Sequence, residues 1–529
     1  MRAGIDGASA ITTMSATAMA QQIASGALSS REVIEAHIRR IEAVNPGINA
    51  LVVPLFEQAR SEADSADAAR ARGAALGVLH GVPITIKESF DISGTATTMG
   101  LSALVGVKAQ TDAPTVARLR AAGAIVLGKT NVPQMVMFNE ADNPVYGRTN
   151  NPWNIERAPG GSSGGCAALV AAGGSPLSLG SDIGGSVRFP ANACGIHSLK
   201  PTSGRLTMLG HGAIFAGMEA ILAQPGPLAR SVDDLALALK VLCAPGQEAF
   251  DASIPPVPLR ETERELPPEM RVAMFTDNGF FSAAPAPRRA VREAADALRE
   301  RGVTVDEWQP PDVEEAWRIY LGLAFGDGMS GARRALRGSR LDWRIRGITW
   351  GAAPPSIFYK LSAWQWALMG QKRIGRDVRR LGSRSTKAYW RLVDERTRYR
   401  TAFVAALDAG GFDAIICPAD GLPALRHGSS FLLSNAMSYS TLFNLLGMPA
   451  GVVAATRVRA GEESDRAPGF DMVERMARKV EMGSAGLPVG VQVVARHWRE
   501  DVALSIMRAL EEHFTAQPDY PASPPAIKA

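Results

Sequence analysis

Apolar positions along the 529-residue chain switch between two rhythms. In "SSREVIEAHIRRIEAVNPG", Val33, Ile34, His37, Ile38 and Ile41 recur at the spacing that puts side chains on one face of a helix. Ser29, three residues ahead of Glu32, reads as the capping box that starts this helix, and Asn45-Pro46-Gly47 is its predicted stop. His37 lies on the apolar face, where a packed core residue is the expectation. The rhythm changes in "GVPITIKESF", where Val82, Ile84 and Ile86 alternate as a strand up to Lys87. In "DAPTVARLRAAGAIVLGKTN", Asp112 is the predicted cap, Pro114 sits in the first turn, Gly123 ends a short helix, and Ala124 to Leu127 form a buried strand. Further apolar strands are predicted at Phe412 to Ala419, Pro449 to Thr456 and Leu487 to Ala495. A helix that runs directly into a strand implies α/β layering. Strands so far apart in sequence imply one intertwined domain over residues 1–529.

Between about 316 and 402 the pattern turns to long helical stretches rich in arginine. Phe358, Leu361, Trp364, Leu368 and Met369 fall near helical spacing, with Lys372, Arg373, Arg376, Arg379 and Arg380 just after them. An amphipathic stripe ordinarily faces a core, so the periodicity favours an extra helical layer packed through its aromatics with solvated arginines. The sharper reading is a cap over a hydrophobic substrate channel that touches lipid. The segment from about 517 to 529, "QPDYPASPPAIKA", reads as a frayed tail.

Composition narrows the class of function. With 46% hydrophobic and 21% charged residues the chain is that of a soluble globular protein. The net charge of +5 comes from 57 basic and 52 acidic residues mixed without long basic runs, so no nucleic-acid partner is expected. Cys166, Cys194, Cys243 and Cys417 show no metal-ligand spacing and the seven histidines contain no HExxH, so no metal and no other cofactor is expected. No apolar run reaches 18 residues. The N-terminus resembles a signal sequence only until Asp6 interrupts it, which leaves a cytoplasmic protein, soluble or peripherally membrane-associated, as the expectation.

Glycines change the picture most, since many of the 52 cluster between Gly160 and Gly212. Such loops let backbone amides approach a ligand closely. "GGSSGG" at 160–165 lacks the GK[ST] of a phosphate loop. Gly160-Gly161-Ser162-Ser163-Gly164 fits GxSxG formally, but the elbow of an α/β-hydrolase needs a strand before it, and "NPWNIERAP" is not one. That reading would also need a late histidine, nominally His427, His497 or His513. A second loop, "LGSDIGGSVRFPA", puts Ser186 after Ile183, Gly184 and Gly185, small residues whose N–H groups can converge on an oxyanion. One such donor is worth roughly 2.7 to 4 kcal/mol of barrier. No histidine is near either loop in sequence. A buried lysine whose pKa falls toward neutrality can serve as base, and Lys87 ends an apolar strand; a surface or structural lysine is the ordinary alternative.

Together "GVPITIKESFDISGTATTMG", "TDAPTVARLRAAGAIVLGKTN", "NNPWNIERAPGGSSGGCAALVAAGG" and "LGSDIGGSVRFPANACGIHSLKPTSGRL" resemble the amidase signature family, in the family's order. "IKESF" and "SDIGGSVRFP" look most like its fatty acid amide hydrolase branch. The resemblance implies a large central mixed, twisted β-sheet covered by helices on both faces, with a signature core at about 75–245 and an added helical cap at about 316–402. It implies an amidase that cleaves carboxylic amides of apolar acyl or aryl type, extending to esters or carbamates, through an acyl-enzyme and without a cofactor. The alternatives are the glutaminase-type subunit of a tRNA-dependent amidotransferase and a catalytically silent binding protein.

By motif, the resemblance makes Lys87 the base, Ser162 a relay serine on a cis peptide, and Ser186, 24 residues later, the nucleophile. It makes the amides of Ile183, Gly184, Gly185 and Ser186 the oxyanion hole, with Ser163 bonding Lys87 or Ser162 and Asp182 and Arg188 bracing the loop. Met135, Val136, Met137, Phe138 and Ser181 fall where that branch lines its substrate pocket. The 356–380 region occupies the place of a membrane-contacting cap, which shifts the balance toward a hydrophobic channel. Homodimerisation is carried over with the branch.

Overall fold

The computed structural model describes residues 10–212, 217–351 and 358–525. The N-terminal segment with Asp6, residues 356–357 of the proposed cap contact and the last four residues of the tail lie outside them. In chain order the strands are β1 Leu51–Pro54, β2 Pro83–Lys87, β3 Ile125–Thr130, β4 Asp142–Asn143, β5 Gly147–Arg148, β6 Leu177–Asp182 and β7 His197–Lys200. They continue with β8 Gln224–Ala229, β9 Arg271–Met274, β10 Thr304–Glu307, β11 Ala414–Pro418, β12 Ala450–Arg457 and β13 Pro488–Ala495. All but the small β4–β5 ribbon join one 11-stranded sheet in the order β1-β3-β2-β6-β8-β7-β12-β13-β11-β9-β10.

The sheet is mixed. β2 runs parallel to both β3 and β6, and β9 parallel to both β10 and β11. β7 to β12 and β12 to β13 are antiparallel. Alternate residues of the strands feed clusters on opposite faces: Val491 and Val493 pack with the helices Val232–Leu242, Pro285–Glu300 and Glu500–Thr515, whereas Val494 packs with Val313–Ala324, Thr386–Gly410 and Ser438–Leu446. Strands buried on both faces read as continuous apolar runs, which is why β11, β12 and β13 are visible in the sequence.

Local detail departs from the pattern at four places. The capping box at Ser29 and Glu32 forms, and His37 is buried with Nδ1 3.0 Å from the Val33 carbonyl. The helix, however, runs Ser30–Ile48 with Pro46 inside its last turn and ends at Asn49 in the left-handed region. Asp112 does not cap the helix Pro114–Ala121, because its carboxylate is taken by the Ser93 amide at 2.8 Å and by Arg120 at 3.1 Å. The tail is held where described: Asp519 accepts from Thr456 and Arg459, and Tyr520 packs against the core.

The fourth departure is the aromatic stripe. Phe358, Trp364 and Leu368 are 67%, 59% and 66% exposed, so the stripe does not pack on the core. The helix Tyr359–Leu368 instead buries Ala363, and a Cβ on Gly375 of the neighbouring helix Lys372–Val378 would collide with the Ala363 carbonyl. Close approach through small residues turns the large ones outward. Three of the arginines are ion-paired, Arg373 with Glu474 and Arg376 and Arg380 with Glu314, while Arg376 and Arg379 remain exposed.

Candidate active site

The carboxyl ends of two neighbouring parallel strands, where open α/β sheets ordinarily bind ligands, bring the candidate residues together. Lys87 ends β2 and Asp182 ends β6. Lys87 is fully buried, with Nζ 2.7 Å from Ser162 Oγ, 2.9 Å from Ser181 Oγ and 3.3 Å from the Ser181 carbonyl. Burial pushes its pKa down to about 7, which the neighbouring Cys166 sulfur and the Asp182 carboxylate only partly oppose.

Ser162 follows the cis peptide Gly161-Ser162. A side chain on Gly161 would collide with the backbone of Phe138 and Glu140, so the segment around Phe138 lies directly on this loop and only glycine fits between them. The Gly161 amide donates to Asn139 Oδ1 at 2.9 Å, and Asn139 Nδ2 donates to Asp420 Oδ2 at 3.1 Å. Burial raises the Asp420 carboxyl to about 7. Glu140 accepts from Arg344 Nη1 at 2.9 Å and from the amides of Gly428 and Ser430, which ties the segment to the helix Trp343–Gly351 and to the loop at 428–430. Met135, Val136 and Phe138 hold φ of 58°, 49° and 76°, rare for such side chains, on either side of the extended Met137. Met135 is buried; Met137 and Phe138 pack half-buried in the same apolar cluster as Trp317 and Tyr320.

Ser186 is half-buried, and its hydroxyl has no partner within the chain among the described residues. Its carbonyl accepts from the Ser163 amide at 3.0 Å, joining the two serine loops. The loop before it is built on a buried ion pair. Arg188 Nε and Nη2 both donate to Asp182 at 3.0 Å, and Arg188 also donates to Gln492, Asn444 and the Ser440 carbonyl. Burial would raise the Asp182 carboxyl, but the Arg188 charge outweighs it and holds the group well below the usual carboxylate range.

Three residues make contacts that the sequence does not show. The Gly185 amide is directed to Asp182 Oδ1 at 2.8 Å, which removes it from the expected oxyanion donors, whereas the amides of Ile183, Gly184 and Ser186 have no acceptor among the described residues. The Ser163 hydroxyl donates to the Ser181 carbonyl at 3.3 Å rather than to Lys87 or Ser162. Ser181, expected among the substrate-lining residues, accepts a hydrogen bond from Lys87 at 2.9 Å. His427 and His497 contact the carbonyls of Ile155 and Leu446, and His513 lies on the last helix, so among the described residues no late histidine meets either serine.

Sequence reasoning passes over His211, whose Nε2 is 2.9 Å from Ser181 Oγ, and Tyr320, whose hydroxyl donates to the Ile183 carbonyl at 3.1 Å. Neither sits in a motif. Among the described residues no group of acidic, histidine or cysteine side chains is arranged to hold a metal ion.

A mixed sheet wrapped in helices, with a buried lysine on a glycine-flanked serine, defines a class of α/β enzymes, and comparison with known proteins narrows it. The family described as Amidase matches residues 32–504. Fatty-acid amide hydrolase 1 of Sus scrofa is 33% identical over 498 residues, spanning 93% of this chain and 84% of that protein. A glutamyl-tRNA(Gln) amidotransferase subunit of Roseiflexus sp. (strain RS-1) is 33% identical, spanning 94% and 96%. A solved structure of a fatty acid amide hydrolase superposes with a TM-score of 0.84 at 26% identity over 96% of this chain and 86% of that one. The chain belongs to the amidase family and is an amide hydrolase.

Proposed function

We propose that the protein hydrolyses carboxylic amides with an apolar acyl or aryl part through an acyl-enzyme on Ser186. The observation that carries this reading is the fully buried Lys87, held near neutrality 2.7 Å from Ser162 Oγ. Neutral Lys87 takes the Ser162 proton while Ser162 takes that of Ser186, whose Oγ attacks the amide carbonyl. The amides of Ile183, Gly184 and Ser186 carry the oxyanion. Protonated Lys87 then returns its proton through Ser162 to the departing amine, the C–N bond breaks, and water releases the acid from Ser186.

An apolar substrate is supported by Ile183 in the nucleophile loop and by the apolar cluster that reaches this loop through Tyr320. The exposed stripe at Phe358, Leu361, Trp364 and Leu368 supports contact with a membrane surface. The amidotransferase reading rests on the equal identity to the Roseiflexus protein; release of ammonia from glutamine would support it.

The test is a panel of acyl and aryl amides, esters and carbamates, combined with fluorophosphonate labelling and mass mapping. The expected outcome is a single label on Ser186, lost with turnover in Ser186→Ala. A label on Ser162, or full turnover by Ser186→Ala, overturns the assignment.

A further inference from the structure

The hydrogen bonds of Lys87 do not end at the serine loops. Ser181 Oγ, 2.9 Å from Lys87 Nζ, is also 2.9 Å from His211 Nε2, and the same nitrogen is 2.9 Å from Ser89 Oγ. Ser89 and Ser181 are buried. The imidazole is fixed by backbone pairing with the chain that follows β2: Phe90 and His211 form an antiparallel bridge, the Gly212 amide donates to the Ser89 carbonyl at 2.8 Å, and the Asp91 amide donates to the Gly210 carbonyl at 2.7 Å. The Phe90 ring meets the imidazole edge-on, with centroids 4.6 Å apart.

The direction of these bonds follows from proton counting. A neutral lysine has two N–H donors and one lone pair. For the lone pair to face the Ser162 hydroxyl, both N–H groups must go to Ser181, one to its carbonyl and one to its Oγ. The Ser181 hydroxyl proton then needs another acceptor, and among the described residues His211 Nε2 is the one within reach, a lone pair for which the Ser89 hydroxyl, also 2.9 Å away, competes. Burial first and the Lys87 charge second push the imidazole down to about 3, against a hydrogen bond to Gly212, so the ring is neutral and one nitrogen carries a free lone pair. Facing Lys87 are the thiol of Cys166, the carboxylate of Asp182 and this ring; the charged group facing the ring is Lys87.

We propose that His211 is a positioning residue for the amidase reaction: its Nε2 accepts the Ser181 hydroxyl, which makes Ser181 Oγ an acceptor for Lys87 and aims the Lys87 lone pair at Ser162. The inference rests on the Lys87–Ser162–Ser186 reading. Without the ring, Ser181 is free to donate to Lys87 itself and to compete with Ser162 for the lone pair. The same loss weakens the chain that stabilises the ammonium, so the acid limb of the pH profile moves down.

The test compares His211→Leu, His211→Gln and Ser181→Ala in the full chain with a short soluble amide. His211→Leu is expected to lower kcat by about 100-fold with KM unchanged, the scale of a misaligned reacting group, and to move the acid limb of kcat/KM to lower pH. His211→Gln, which offers an amide oxygen, restores most of kcat, and Ser181→Ala reproduces the shifted limb. Wild-type kcat and limb in His211→Leu, or no rescue by glutamine, overturns the proposal. Nitrogen-15 histidine spectra of the wild-type chain provide a measurement independent of variant folding. They are expected to show an unprotonated Nε2 at His211 from pH 6 to 9, and an imidazolium or an Nε2–H tautomer there overturns it. Activity surviving in Lys87→Ala and Ser186→Ala would instead sink the underlying triad and leave His211 nothing to aim.

Discussion

Lys87 is where burial becomes reactivity. An ammonium in the unfolded chain, it is held near half-neutral in the fold because burial strips the charge of its hydration. Two pH effects with the same sign follow. As pH falls through about 7 Lys87 gains a proton, so under the proposed mechanism kcat/KM on a soluble amide is expected to drop about tenfold per pH unit below that point and to level off above it. The folded pKa lies below the unfolded one, so between about 7 and the ordinary lysine value the unfolded chain binds more protons and stability rises with pH. Denaturant unfolding at pH 7.5 and 9.5 is expected to show this rise reduced by one proton in Lys87→Met. The triad candidates were legible in the sequence because the chemistry demands particular residue types beside glycines in a fixed order. His211 was not, because its partners Ser89 and Ser181 are 122 and 30 residues away and a lone histidine has no spacing to read.

At the scale of elements, strands were legible and their ends were not. β11, β12 and β13 announce themselves as apolar runs because both faces are covered. Asp112 and Pro46 each depart from a local rule: Arg120 and Ser93 claim the Asp112 carboxylate, and the last helical turn tolerates Pro46. The stripe at Phe358 to Met369 reports amphipathicity, but its period says nothing about which side faces protein, and the Ala363–Gly375 approach decides that. Arg188 is the joint between elements, linking the end of β6 to β13 and to the helix Ser438–Leu446. Arg188→Met leaves Asp182 buried without its partner and is expected to cost ~3–5 kcal/mol, read from the urea midpoint, and to abolish turnover with the loop it supports.

At the scale of the whole molecule, one helix gathers several of the exposed large apolar side chains of the described residues. Phe358, Leu361, Trp364 and Leu368 project together from a helix with no apolar covering among the described residues, yet no described helix is long and apolar enough to cross a membrane. Cosedimentation with anionic phospholipid vesicles is the expected behaviour. Trp364→Ser with Leu368→Ser is expected to weaken it by ~3 kcal/mol, about 100-fold, while hydrolysis of a short soluble amide stays unchanged. The route of the chain through the sheet gives this face a further meaning. Both β10 and β11 hydrogen-bond to β9, so the chain leaves the sheet at Glu307 and returns at Ala414 only one strand away. The described residues between form a detour tied to the serine loops and to Glu140 by tethers such as Tyr320 and Arg344. Lys87, Ser162 and Ser186 all precede it. On the proposed mechanism, a lineage can therefore alter the segment over the site, residue by residue or by wholesale exchange of the detour, while Lys87, Ser162 and Ser186 are inherited intact.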